Sequence, residues 1–142
     1  MSKVTFYPPN GSDYENPAAD IINDWVMSKT QSDWDSGSCD GSFHYQDHDF
    51  LKSELILALK EPYGFFVMYR CNFDDNEKAI SNGGDLDKMI TINPGGEPWE
   101  LPSLFFNNRK RVLDVVHYFI KSGEMQPFVN WVDLWEGWEP SI

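Results

Sequence analysis

A chain of 142 residues with 23 Asp and Glu against 11 Lys and Arg carries a formal net charge of -12, and 15% of its residues are aromatic. Such a field repels phosphate backbones and anionic membrane surfaces, which argues against direct nucleic-acid or lipid binding and favours a cationic protein as the partner. The hydrophobic content of 41%, with ten Phe, six Trp and six Tyr, is enough to build the core of one domain over residues 1–142.

The charge is uneven. Residues 1–50 hold nine acids and two bases, residues 51–100 nine and five, and residues 101–142 five and four. The opening Met1–Phe6 lacks the apolar run of a secretory signal, and no stretch approaches the ~18 apolar residues of a membrane span. The expectation is a cytoplasmic protein with Cys39 and Cys71 reduced.

Val4-Thr5-Phe6-Tyr7 reads as a short edge strand followed by a loop. Asn16 offers an N-cap with Pro17 at the first helical position, and Ile21, Ile22, Trp25, Val26 and Lys29 share a helical face, which predicts a helix over 17–29. From Thr30 to Gly41 the chain shows Ser, Asp and Gly around Trp34 without an apolar period. That predicts an exposed acidic loop.

Five strand-like segments follow at Ser42–Gln46, Glu54–Lys60, Tyr63–Phe73, Glu77–Asn82 and Lys88–Asn93. Leu55–Leu59 and Phe65–Tyr69 are nearly continuous apolar runs, which predicts a central antiparallel hairpin covered on both faces. After Pro102, Val112, Val115, Val116, Phe119 and Ile120 form one helical stripe, and Gly123 is placed to end it. Pro127–Trp135 alternates sides, with Phe128, Asn130, Val132 and Leu134 on one face, and predicts a last strand beside the sheet. The fold class expected is α+β, an antiparallel sheet of about five to six strands packed against two helices.

Local chemistry is sparse. The run Cys39–Asp49 contains a thiol, His44, His48 and several carboxylates, but its spacing matches no helical His pair and no zinc signature. A small metal- or thiol-dependent hydrolase using Cys39, His44 and His48 is therefore an alternative, beside a general acidic adaptor. His117 borders the apolar stripe of the second helix and reads as a packing histidine. Gly83-Gly84-Asp85 and Gly95-Gly96-Glu97 each place an acid after the glycine pair, which suits strand turns and not a phosphate cradle. Arg109-Lys110-Arg111 opens a helix, where cations are mildly unfavourable, and reads as a solvated or acid-paired face.

What remains is surface, where acids interleave with rings. Asp33-Trp34-Asp35, Asp40 with Asp47 and Asp49, Asp74-Asp75, and Trp135 with Trp138 are the candidate partner-binding residues. Rings supply burial at an interface, and carboxylates speed the encounter with a basic protein. No catalytic residue, metal site or cofactor is expected.

The C-terminal half carries a further pattern. Gly95-Gly96-Glu97, Glu100-Leu101-Pro102, the helix ending Tyr118-Phe119-Ile120-Lys121-Ser122-Gly123-Glu124, Pro127 and Val129-Asn130-Trp131-Val132 resemble the first-numbered immunity-protein family of bacterial polymorphic toxin systems. The hairpin at 54–71 and Ala79–Asp85 follow the same course, so the resemblance covers about residues 50–138. It implies a bacterial cytoplasmic antidote that binds a cognate toxin domain one-to-one. Family toxins include nucleic-acid deaminases and nucleases, and the implied mode is occlusion of the toxin's active site without chemistry.

Overall fold

The computed structural model describes residues 2–71, 77–84 and 88–134. It is an α+β fold in which one antiparallel sheet carries helices on one face and a small two-stranded sheet on part of the other. Among the described residues the main sheet has eight strands, in the order β10-β6-β5-β4-β3-β1-β2 with β9 paired to β5. These are β1 (Ser2–Tyr7), β2 (Tyr14–Glu15), β3 (Gly41–Asp47), β4 (Phe50–Lys60), β5 (Gly64–Cys71), β6 (Lys78–Ser81), β9 (Phe106–Asn107) and β10 (Asn130–Asp133). The second sheet pairs β7 (Met89–Ile92) with β8 (Trp99–Pro102). The strand count exceeds the expected five or six partly because β2 and β9 are two-residue pieces too short to leave a periodicity.

The apolar runs do form the central hairpin. β4 and β5 pair from Ser53↔Cys71 to Lys60↔Gly64, across a turn that holds a cis Glu61–Pro62 bond. Leu55, Leu57, Leu59, Phe65, Val67 and Tyr69 face the helices, while Ala58, Phe66 and Met68 face the small sheet. Each Leu, Val, Phe and Met among them contributes about 1.5–3 kcal/mol of burial, so this hairpin anchors both cores.

The helical layer departs from expectation in two places. The first helix starts later: α1 spans Ala19–Asn23 and runs into a π-helical turn at Asp24–Ser28, closed by Lys29 N–H donating to the Asp24 carbonyl at 3.0 Å. Asn16 is no cap. At φ 48° its N–H donates to the Val4 carbonyl at 2.6 Å and its Oδ1 accepts from Val4 N–H at 3.0 Å, which extends the β1 ladder instead. The shift in register at the π turn sets Trp25 and Val26 side by side in the core with Ile22.

The expected loop at 30–41 contains α2 (Gln31–Trp34), a single turn closed by a capping box between Thr30 and Asp33. That turn drives Trp34 inward. Its indole is 1% exposed, donates to the Trp25 carbonyl at 3.1 Å and meets Trp25 and Phe65 edge-on.

α3 (Arg109–Ser122) matches the predicted stripe, with Val112, Val115, Val116 and Phe119 buried. Asn108 caps its start by accepting from Arg111 N–H at 2.8 Å. Arg109 does not stay solvated: it donates to Glu61 at 2.7 Å and to the Val26 carbonyl at 2.9 Å, tying the helix to the β4–β5 turn and the π turn. Gly123 ends the helix at φ 70°, and its carbonyl accepts from Ser53 Oγ at 2.6 Å and Tyr69 Oη at 3.1 Å. Two buried hydroxyls thus satisfy an acceptor at the helix end that would otherwise be costly to bury.

Two strand expectations need correction. The strand at Lys88–Asn93 is expected in the one antiparallel sheet, but β7 leaves the main sheet and pairs with β8, a partner whose Pro102 masks its strand character. The Val4–Tyr7 strand is interior, between β2 and β3. The last strand lies beside the sheet as expected but is shorter than Pro127–Trp135. Among the described residues only Asn130–Asp133 pairs, with Ser81–Lys78, while residues 127–129 turn and leave Phe128 exposed. Val132 and Leu134 face the small sheet and Trp131 the helices, and Trp135 lies outside the described residues.

Both cysteines are free thiols. No helix of the described residues is long and apolar enough to cross a membrane.

Candidate functional site

Among the described residues, the sheet face opposite the helices is only half covered. Register places Glu15, Thr5, His44, Glu54 and Arg70 in one row across five strands, because directly opposed residues share a face. The next row runs Tyr7, Ser42, Ile56, Met68, Ala79 and Val132. Its second half lies beneath Ile90, Ile92, Leu101 and Phe105 of the small sheet and its flanking turn. Its first half does not: in β1 and β3 the inward residues are buried while Thr5, Tyr7, Ser42, His44 and Gln46 are half-buried.

Charge on this open face is arranged around Arg70. Its guanidinium donates to Glu54 at 2.9 Å and to Glu77 at 3.4 Å. His44 lies in the same row, ring to ring with Tyr7 at 4.6 Å and 3.4 Å from Ser42 Oγ. Burial pushes the His44 pKa below its ordinary value of 6.5, with Arg70 acting in the same direction and Glu54 and Asp13 against it. His44 is therefore neutral at pH 7 and adds no positive charge to that of Arg70 on this face.

A pH prediction follows from that direction. The unfolded chain takes up the His44 proton first as pH falls below about 6.5, so stability drops there and the loss is complete below the lower folded value. His44→Gln is expected to flatten this part of the profile. Urea midpoints at pH 7.5 and pH 5 check it: an unchanged difference between the two proteins contradicts the assignment.

Where open and covered halves meet, a groove of about 260 Å³ runs between the sheet and the β7–β8 hairpin. Ile56, Phe66 and Met68 form its floor and Trp99 one wall, set edge-on to Phe66 at 6.2 Å. Asp40, Glu77 and Arg70 supply its charge. The loop bearing Asp40 is held on both sides, with Ser38 N–H donating to Pro9 at 3.0 Å and Gly95 N–H donating to Ser38 at 2.9 Å.

The ten candidate partner-binding residues do not make one patch. Asp33, Asp35 and Asp40 gather at the end of the molecule where β3 begins. Asp33 accepts from Thr30 N–H at 2.9 Å and Thr30 Oγ at 3.0 Å, which hold its carboxyl below the ordinary range. Asp35 accepts from Gln31 at 3.0 Å. None of the three forms an ion pair among the described residues.

Asp47 is the last residue of β3 and Asp49 lies in the turn after it, about 20 Å away at ~3.3 Å per residue. Asp47 sits 3.6 Å from His48 there. Trp34 is corrected outright, because a fully buried indole presents nothing to a partner. Asp74, Asp75, Trp135 and Trp138 lie outside the described residues.

The hydrolase constellation does not assemble. Cys39 precedes β3, His44 stands mid-strand on the open face and His48 occupies the turn at the opposite end. Burial, then Asp35 and Asp40, push the Cys39 thiol up, the wrong direction for a nucleophile. No three His, Cys, Asp or Glu side chains among the described residues could hold a metal ion. His117 bonds Asn23 at 2.9 Å, joining α3 to α1.

Sequence reading missed Glu54, Arg70, Glu77 and Trp99. The first two left a trace, as polar residues flanking the apolar runs at positions that the strand register makes opposite. No protein-family model matches this chain, and no curated protein matches it.

Proposed function

We propose that this protein is an immunity protein: it binds a cognate bacterial toxin domain one-to-one and neutralises it by covering its active site. The toxin domain is basic and acts on nucleic acid, as a deaminase or a nuclease. The observation that carries this reading is that Asp33, Asp35 and Asp40 form no ion pair among the described residues, with Asp40 lining the groove on the sheet face opposite the helices, on a chain of net charge -12. An enzyme that grips a phosphate backbone needs a basic groove, and an acidic surface of this shape competes for that groove. The motif resemblance over residues 50–138 supports the same reading. Inhibition by occlusion requires no catalytic group on this chain.

Co-expression with the toxin domain encoded beside it tests the proposal. The expected result is a one-to-one complex burying at least ~1,200 Å² in total, formed more slowly as salt rises. Asp35→Lys with Asp40→Lys is expected to slow association roughly tenfold, because steering depends on charge near the contact. Asp47→Lys with Asp49→Lys, at the other end of β3, is expected to change it less than threefold on the same steering argument. Stopped-flow mixing at two ionic strengths reads both, and an association rate indifferent to salt and to the first pair overturns the proposal.

A further inference from the structure

The groove between the main sheet and the β7–β8 hairpin has the form of a receptor for one long side chain. Its floor is apolar, its volume is about 260 Å³, and an indole stands at its wall. Arg70 carries the positive charge of the lining, and it is already engaged by Glu54 and Glu77. Asp40 is the carboxylate left over. It forms no ion pair among the described residues, and its carbonyl, accepting from Ser38 Oγ at 2.9 Å, does the local structural work.

We propose that this groove receives an arginine side chain of the basic partner, its stem on Ile56 and Met68, its guanidinium against Trp99 and paired with Asp40. The identity of the partner rests on the proposed function above; the chemistry of the groove does not. Arginine fits better than lysine for two reasons. Its planar, weakly hydrated cation packs on an aromatic surface while donating in its own plane, and its fork can donate two parallel hydrogen bonds to the Asp40 carboxylate. Lysine is a compact, strongly hydrated charge that loses more on leaving water. The same sheet face already holds one guanidinium between two carboxylates in Arg70.

The test uses the full chain, labelled with nitrogen-15, titrated with Nα-acetyl-L-arginine methylamide and separately with its lysine counterpart. The arginine probe is expected to shift the Trp99 indole N–H and the Asp40 and Gly95 amides saturably, and the lysine probe to bind roughly fivefold more weakly. Asp40→Asn is expected to weaken the arginine probe roughly fivefold, since it removes one charge-assisted hydrogen bond while leaving the backbone contacts of the loop in place. Native near-ultraviolet circular dichroism of that variant establishes that it is folded.

Equal affinity for the two probes, shifts spread over Asp47 and Asp49 without saturation, or an unchanged response in Asp40→Asn each overturn the assignment. A toxin domain that binds Asp40→Asn at the native rate and affinity also overturns it, yet leaves the immunity reading standing. Conversely, a chain that binds no basic domain but still takes up the arginine probe retains the groove and loses the proposed function.

Discussion

Replacing Trp34 by alanine is expected to lower the unfolding free energy by about 3–5 kcal/mol, the usual cost of emptying a large buried aromatic site. The indole is 1% exposed and fills the space between Trp25, Phe65 and Gly41, where a β-carbon on Gly41 would come within 3.1 Å of the ring. Its removal leaves a cavity and strips the Trp25 carbonyl of its donor. Small domains have only about 5–15 kcal/mol in total, so the variant should stand near its unfolding midpoint at modest urea. Urea titration followed by circular dichroism checks this. A change of about 0.5 kcal/mol or less is what an exposed residue gives, and would return Trp34 to the surface where its acidic neighbours suggest it belongs. The consequence for function is direct: loss of partner binding in this variant would report unfolding and not a lost interface ring.

Gly123→Ala is expected to cost about 2–5 kcal/mol, from two separable sources. The residue sits at φ 70°, where a β-carbon costs about 1–2 kcal/mol. The added atom would also lie 2.6 Å from Cδ1 of the buried Tyr45, so the ring must move, at an overpacking cost of about 1–3 kcal/mol. Gly95→Ala is the control. It shares the positive φ, at 65°, but its β-carbon meets nothing within 4 Å, so it should show the conformational cost alone. Equal destabilisation of the two variants by thermal or urea unfolding would mean that Tyr45 yields freely and that the helix stop is not sterically locked. The stop matters because the Gly123 carbonyl is where Ser53 and Tyr69 fasten α3 to the central hairpin.

These two positions show how unevenly the fold could be read from the chain. Gly123 was legible because a helical stripe runs up to it and stops, a pattern contained within about a dozen residues. The Leu55–Leu59 and Phe65–Tyr69 runs were legible for the same reason, since a continuous apolar run needs cover on both faces wherever it lies. Trp34 was not. Its surroundings are Ser and Asp, and only a one-turn helix capped by Thr30 rotates the indole away from them. Asn16 failed likewise: its sequence context suits a helix cap, but the backbone of Val4, twelve residues earlier, competes for the same groups.

The candidate site divides along the same line. Composition identified an acidic chain, and no arrangement of it could remove that charge, but the ring expected between Asp33 and Asp35 is core. Whether Asp33, Asp35 and Asp40 stand together, and Asp47 and Asp49 apart from them, depends on β3 being extended between the two groups. The groove depends on β7 leaving the main sheet to pair with β8.

From its residues alone this chain determined an acidic α+β fold, its central hairpin, and its long helix with the helix stop. Those properties follow from local periodicity and from summed charge, which do not depend on how distant segments meet. Tertiary structure decided which face of the sheet stays open, which carboxylates share it with Arg70 and Trp99, and which tryptophan is core. Each of those outcomes is set by pairings between residues tens of positions apart, where a one-residue change of register would send every side chain of a strand to the opposite face.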